Sequence, residues 1–206
     1  MTETDDAAEP GRRERKRTQT LDHLAAVAFA LFEEHGYDAV TMEQIAVASD
    51  VAKGTLYNHF PVKEALLAHR FHGELAGDAD ALRATLASRR GFAAKLSGFL
   101  AASARWCESR RAYLPHYVRW RLANFGTGAR SGIDRWFEGL VAAGQKSQEL
   151  RDDLQTAQIA ALLQHGYLCA LLRWLGDDEI ALEDEFDVLV DLFVNGAVWP
   201  AKKARR

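Results

Sequence analysis

Cysteine is scarce in this chain, and the two that occur, Cys107 and Cys169, stand far apart. They form no CxxC and no Cys/His spacing of the kind that holds zinc, so two reduced thiols in or near the core are expected. Long apolar runs are missing too, since no uninterrupted stretch approaches the length of a membrane-spanning helix. The opening residues, MTETDDAAEPG, are acidic and polar and lack the charged start and apolar stretch of a secretory signal. A cytoplasmic protein with no membrane partner is expected. Catalytic signatures are absent as well. The AKGT around Gly54 lacks the upstream glycine of a GxxxxGK loop, and no GxSxG elbow occurs. His69 and His72 have no acidic or cysteine partner at ligand spacing. An enzyme, a metal site and a resident cofactor are therefore not expected.

A surplus of positive charge is also lacking: the net charge is −3, which argues against simple electrostatic attraction to nucleic acid. The charge is uneven, however. The run RRERKR at 12–17 carries five cations and one acid. By itself such a run reads either as a solvated, flexible tail or as a basic arm for phosphates or a minor groove.

What is present is apolar content, 48 % of 206 residues, arranged with helical spacing and without convincing alternating strands. The fold class is all-α. Leu21, Leu24, Ala25, Ala28, Leu31 and Phe32 form one stripe on a first helix, which Gly36 and Tyr37 end in a Schellman-type stop. Thr41 to Gln44 reads T-x-x-Q, a capping box that starts a second helix over 42–49. A turn at Ser49, Asp50 and Val51 leads to a third helix over 52–59, which Pro61 prevents from continuing. Further helices are expected over 63–75, 92–108, 112–125, 133–143, 156–175 and 182–198, with turns at 126–128 and 176–179.

The third helix, within VAKGTLYNHF, carries an unusual outward face. Leu56 and Phe60 point inward, which turns Gly54 and Asn58 outward, flanked by Thr55 and Tyr57. A glycine inside a helix costs roughly 1 kcal/mol relative to alanine, and close approach of a ligand to the backbone would offset that. A second helix, a tight turn and such a third helix can form a helix-turn-helix that enters a DNA major groove, or a plain helical hairpin. In the first case Thr55 and Asn58 could read base edges, and Lys53, Tyr57 and His59 could reach phosphates.

Residues 21–68, and within them LFEEHGYDAVTMEQIA followed by VAKGTLYNHFPVKEALL, resemble the amino-terminal DNA-binding domain of the TetR family of bacterial transcriptional regulators. The resemblance covers about a quarter of the chain. It implies a homodimer on a palindromic double-stranded operator, normally a repressor released by a small-molecule effector. It places Lys53, Gly54, Thr55, Tyr57, Asn58 and His59 on the recognition helix, Thr41 at the start of the supporting helix, and Lys63 where family members touch phosphate. With it, the basic arm, including Arg15 and Arg17, is expected to bind DNA. Three positions depart from the usual pattern: Asp50 for a turn glycine, and Ala52 and Val62 for capping hydroxyl or acidic residues. The organisation expected is a flexible tail with a basic arm at 1–17, a helix-turn-helix domain at 18–68, a ligand-binding and dimerisation body at 69–200, and a basic tail at 201–206.

The body matches no particular ligand motif. On its last two helices Leu162, Leu163, Gly166, Tyr167, Ala170, Leu171 and Trp174, and Leu182, Phe186, Leu189, Val190, Phe193 and Val194, give apolar surfaces that complete either the monomer core or a dimer. Because the family pairs its last two long helices in a four-helix bundle, the dimer is the expectation taken here. The aromatic series Phe99, Trp106, Tyr113, Tyr117, Trp120, Phe125, Trp136 and Phe137, with Arg105, His116, Arg119 and Arg121 as polar neighbours, is either core or the wall of a site for an apolar or aromatic effector. A DNA-bound factor controlled by a protein partner, with no small-molecule inducer, is the alternative.

Overall fold

The computed structural model describes residues 9–124 and 132–196. Among these it contains helices and no strand: α1 (Glu9–His35), α2 (Met42–Ala48), α3 (Lys53–His59), α4 (Lys63–Ala87), α5 (Phe92–Glu108), α6 (Leu114–Ala123), α7 (Gly132–Lys146), α8 (Thr156–Gly176) and α9 (Leu182–Asn195). Phe125, the turn at 126–128 and the basic tail at 201–206 lie outside the described residues.

Two helices run further than their spacing suggests. α1 begins at Glu9, so the basic run at 12–17 is part of a helix rather than of a flexible tail. Arg, Lys and Glu are good helix formers, and nothing from Gly11 to the apolar stripe interrupts them. α4 continues through Gly77 to Ala87, because its two glycines, Gly73 and Gly77, stand singly among alanines, leucines and charged residues and weaken the helix without ending it.

The chain divides into two compact units. The first comprises the chain up to Gly77 with 115–127, and so holds α1 to α3, the first part of α4, and α6 from Pro115 on. It is larger than the 18–68 domain that the sequence delimits. Its core is built by Leu24, Ala28, Phe32, Ile45, Leu56, Leu66, Leu67 and Phe71, all buried. α6 packs into this unit by its aromatic face: Tyr117 meets Phe71 edge-on at 5.3 Å, and its hydroxyl lies 3.0 Å from His72 Nε2. His116 lies against the buried Tyr37 ring with centroids 4.0 Å apart.

The second unit holds the remainder of α4, α5 and α7 to α9. An aromatic series runs through it from Trp136 to Phe99, Phe137, Tyr167 and Phe186, with centroids 3.7 to 5.9 Å apart. The Tyr167 hydroxyl is 2.6 Å from Ser103 Oγ and 3.7 Å from Cys107 Sγ. Burial pushes the Cys107 thiol up to about 11, whereas Cys169 is exposed on α8.

This packing corrects the dimer surface read from the sequence. Leu163, Tyr167, Ala170, Trp174 and Phe186 are buried in the unit's own core. Gly166 lets α9 approach α8, since a Cβ there would strike Leu189, and Phe193 stacks on Phe92 at 5.8 Å. Spacing selects the richest apolar stripe of a helix, and the internal core claims that stripe. A second, sparser stripe faces outward: Leu162 and Leu172 on α8, beside His165 and Cys169, and Val188 and Leu192 on α9 are all exposed. Phe186→Ala is expected to destabilise the protein by about 3–5 kcal/mol, as a buried aromatic does when truncated. A thermal melt checks this: an unchanged midpoint with an altered oligomeric state would return Phe186 to an interface.

Candidate nucleic-acid interface

The local sequence determines where α2 and α3 begin and end. The Thr41 Oγ1 accepts from the Gln44 N–H at 3.2 Å, and the Thr41 N–H donates to Gln44 Oε1 at 2.7 Å, completing the capping box. At the other end Asp50 takes a left-handed conformation (φ 53°), with its N–H on Val47 O at 3.1 Å and the Val51 N–H on Ala46 O at 3.0 Å. These are the two bonds of a Schellman motif, made with aspartate in place of glycine. α3 then starts without a side-chain cap at Ala52 and is fastened inward by Leu56 and Phe60, both buried.

The face this leaves outward has the composition expected. Gly54, Thr55, Tyr57 and Asn58 are exposed and His59 is half-buried. A Cβ on Gly54 would meet nothing within 4 Å, and its backbone is not in the left-handed region, so the fold of the free chain does not require glycine there. Lys53 and Tyr57, one turn apart, both reach across to Glu43 on α2. Lys53 Nζ forms an ion pair with the Glu43 carboxylate, and the Tyr57 hydroxyl donates to Glu43 Oε1 at 3.4 Å. Lys53 Nζ also lies 5.5 Å from the centre of the Tyr57 ring. The Lys53 hydrogen bond holds the Glu43 carboxyl below its ordinary range, and the same bond raises Lys53.

Two expected DNA contacts have other work in the structure. Thr41 Oγ1 donates to Gln44 Oε1 at 3.1 Å as well as accepting, so its hydroxyl hydrogen belongs to the cap. Lys63 does not point outward: its Nζ donates to Tyr37 O at 2.8 Å and Val40 O at 2.7 Å and lies 4.4 Å from the centre of the Tyr37 ring. Arg15 and Arg17 are exposed on the helical extension of α1, where Arg15 Nε donates to Gly11 O at 3.0 Å. A helix with its side chains is about 10–12 Å across and a minor groove about 6 Å wide, so this segment is shaped for phosphates and not for the groove.

The aromatic residues expected around an effector are divided between the units. His116, Tyr117 and Trp120 belong to the first, with Tyr117 and Trp120 6.5 Å apart, and Phe99, Trp106, Tyr113 and Trp136 belong to the second. In the second, Phe99 is buried and stacks on Trp136 at 3.7 Å, while Trp106 packs under the Arg110 guanidinium at 4.9 Å. Glu43 is the residue that the sequence reading missed. Its position in the first turn of α2 was visible, but its reach to Lys53, ten residues on, depends on the angle between α2 and α3.

A capped helix, a Schellman turn and a polar, glycine-bearing second helix define a helix-turn-helix DNA-binding regulator. Residues 24–69 match the model for bacterial regulatory proteins of the tetR family. Over 55 residues, 27 % of this chain and 24 % of the relative, the chain is 46 % identical to the regulator TcmR of Streptomyces glaucescens. It is 29 % identical over 180 residues to the repressor KstR of Mycolicibacterium smegmatis, covering 85 % of this chain and 83 % of that one. In fold it is similar to FadR of Thermus thermophilus, a TetR-family repressor crystallised with lauroyl-CoA, with TM-score 0.79, 22 % identity, and 90 % and 99 % of the two chains covered. Residues 24–69 thus match a tetR-type DNA-binding segment, and the relatives that match most of the chain are transcriptional repressors, not enzymes.

Gly54→Ala separates stability from binding. It is expected to stabilise the free protein by about 0.5–1 kcal/mol while weakening its hold on DNA, because the added methyl stands where the backbone would approach a base edge. Paired thermal melts and duplex titrations check this, and equal or tighter binding would remove Gly54 from the interface.

Proposed function

We propose that the chain acts as a homodimeric repressor that reads a palindromic operator through α3 and is released by a small apolar or aromatic ligand. The observation that carries the DNA half is the outward face of α3. Gly54 gives close approach, and the side chains of Thr55 and Asn58 make no hydrogen bond among the described residues. The exposed cations at 12–17 supply further phosphate contacts.

The outward stripe of Leu162, Leu172, Val188 and Leu192 supports the homodimer, since four large apolar side chains on adjoining helices α8 and α9 are exposed together. It takes the place of the buried residues Leu163, Tyr167, Ala170, Trp174 and Phe186 as the surface for a four-helix bundle. The aromatic series around Phe99 and Trp136 supports an apolar effector, and the same fold holds lauroyl-CoA in FadR of Thermus thermophilus. Such an effector releases the operator only if it binds the released conformation more tightly than the DNA-bound one.

Selection of bound duplexes from a random library by the purified protein tests the reading. A palindromic consensus is the expected result, and no enrichment from a folded dimer would overturn it. Leu192→Glu is expected to yield a monomer by light scattering and to lose about 100-fold or more in affinity for the palindrome, as two linked half-sites become independent. A persistent dimer would remove this stripe from the interface.

A further inference from the structure

We propose that Glu43 is a specificity-determining positioning residue: it holds Lys53 and Tyr57 together and keeps the cation of the recognition helix off non-specific phosphate. This rests on the DNA-binding reading above and extends it. Lys53 is the one lysine or arginine that α3 carries, so the charge α3 offers to any duplex depends on what Lys53 touches. In the free protein it touches Glu43, which also accepts from Tyr57. The Lys53 ammonium beside the Tyr57 ring closes a three-membered group across α2 and α3.

Binding to random sequence comes almost wholly from phosphate contacts and the counterions they release. A lysine already neutralised by an exposed carboxylate contributes little to that mode. In the operator complex, α3 is seated by contacts from Thr55 and Asn58 to base edges, which brings the sugar-phosphate backbone close enough to compete with Glu43 for Lys53. The pair thus lowers affinity for all sequences that do not seat α3. Glu43 touches no base in this account. It acts through Lys53 and Tyr57, with Lys53→Met in the background of its own substitution as the control.

Full-length wild type, Glu43→Gln and the double variant Glu43→Gln/Lys53→Met are titrated by anisotropy against the selected operator and a random duplex of equal length over a range of salt. Glu43 is half-exposed, so the single variant is expected to melt with the wild type. Glu43→Gln should tighten random-duplex binding about fivefold near 0.15 M salt and steepen its log–log salt slope by about 0.9, one phosphate's worth. The double variant should restore the wild-type slope. A random-duplex slope unchanged in Glu43→Gln would overturn the proposal, and so would a changed base preference at one operator position, which would make Glu43 a direct reader. Should Glu43→Gln melt early, Glu43→Asp, which keeps the charge but shortens the reach, must still steepen the slope for the proposal to stand. A wild type that enriches no duplex is a different failure, that of the DNA-binding reading itself.

Discussion

The ammonium of Lys63 is the point on which the head depends. From the first residue of α4 it donates to the carbonyls of Tyr37 and Val40, which bracket the connection between α1 and α2. Those carbonyls lie beyond the end of one helix and before the start of the next, where no backbone N–H serves them within a helix. One side chain thus ties three helices together. α3, packed by Leu56 against α2, takes its orientation from that assembly. Hydrogen bonds from a charged donor are worth about 1.5–3 kcal/mol, more than neutral ones, which suits a lysine to this place.

Around that anchor the head separates structural polarity from available polarity. Thr41, Gln44 and Lys63 satisfy the backbone, and Lys53, Tyr57 and Glu43 satisfy one another. Gly54, Thr55 and Asn58 remain exposed at the surface of α3. The body shows the same economy in apolar form: its richest stripes close the core through Tyr167 and Phe186, and the sparser stripes face out.

Local features were legible in the sequence where their cause is local. The capping box at Thr41, the turn at Ser49, Asp50 and Val51 and the inward pair Leu56 and Phe60 follow from residues within a few positions of each other, and all are present. Where the cause is a partner distant in sequence, residue type does not reveal it. Lys63 is placed at a phosphate by the family resemblance, and nothing near it in sequence reveals the carbonyls 23 and 26 residues earlier. Periodicity gives the apolar face that holds Tyr167 and Phe186 but not which neighbour covers it, and the family resemblance decides for the interface. The continuation of α1 through the basic run was missed because charge was taken for disorder, although the residues concerned are good helix formers.

The two thiols have opposite chemical fates. Cys107 is buried under Tyr167 with its proton held tightly, and so is poorly nucleophilic, whereas Cys169 is exposed on the outer side of α8 between Leu162 and Leu172. In the single chain a maleimide or a spin label therefore has one accessible thiol. The chain carries its own single-site reporter, on the same stripe of α8 where a second copy is proposed to sit.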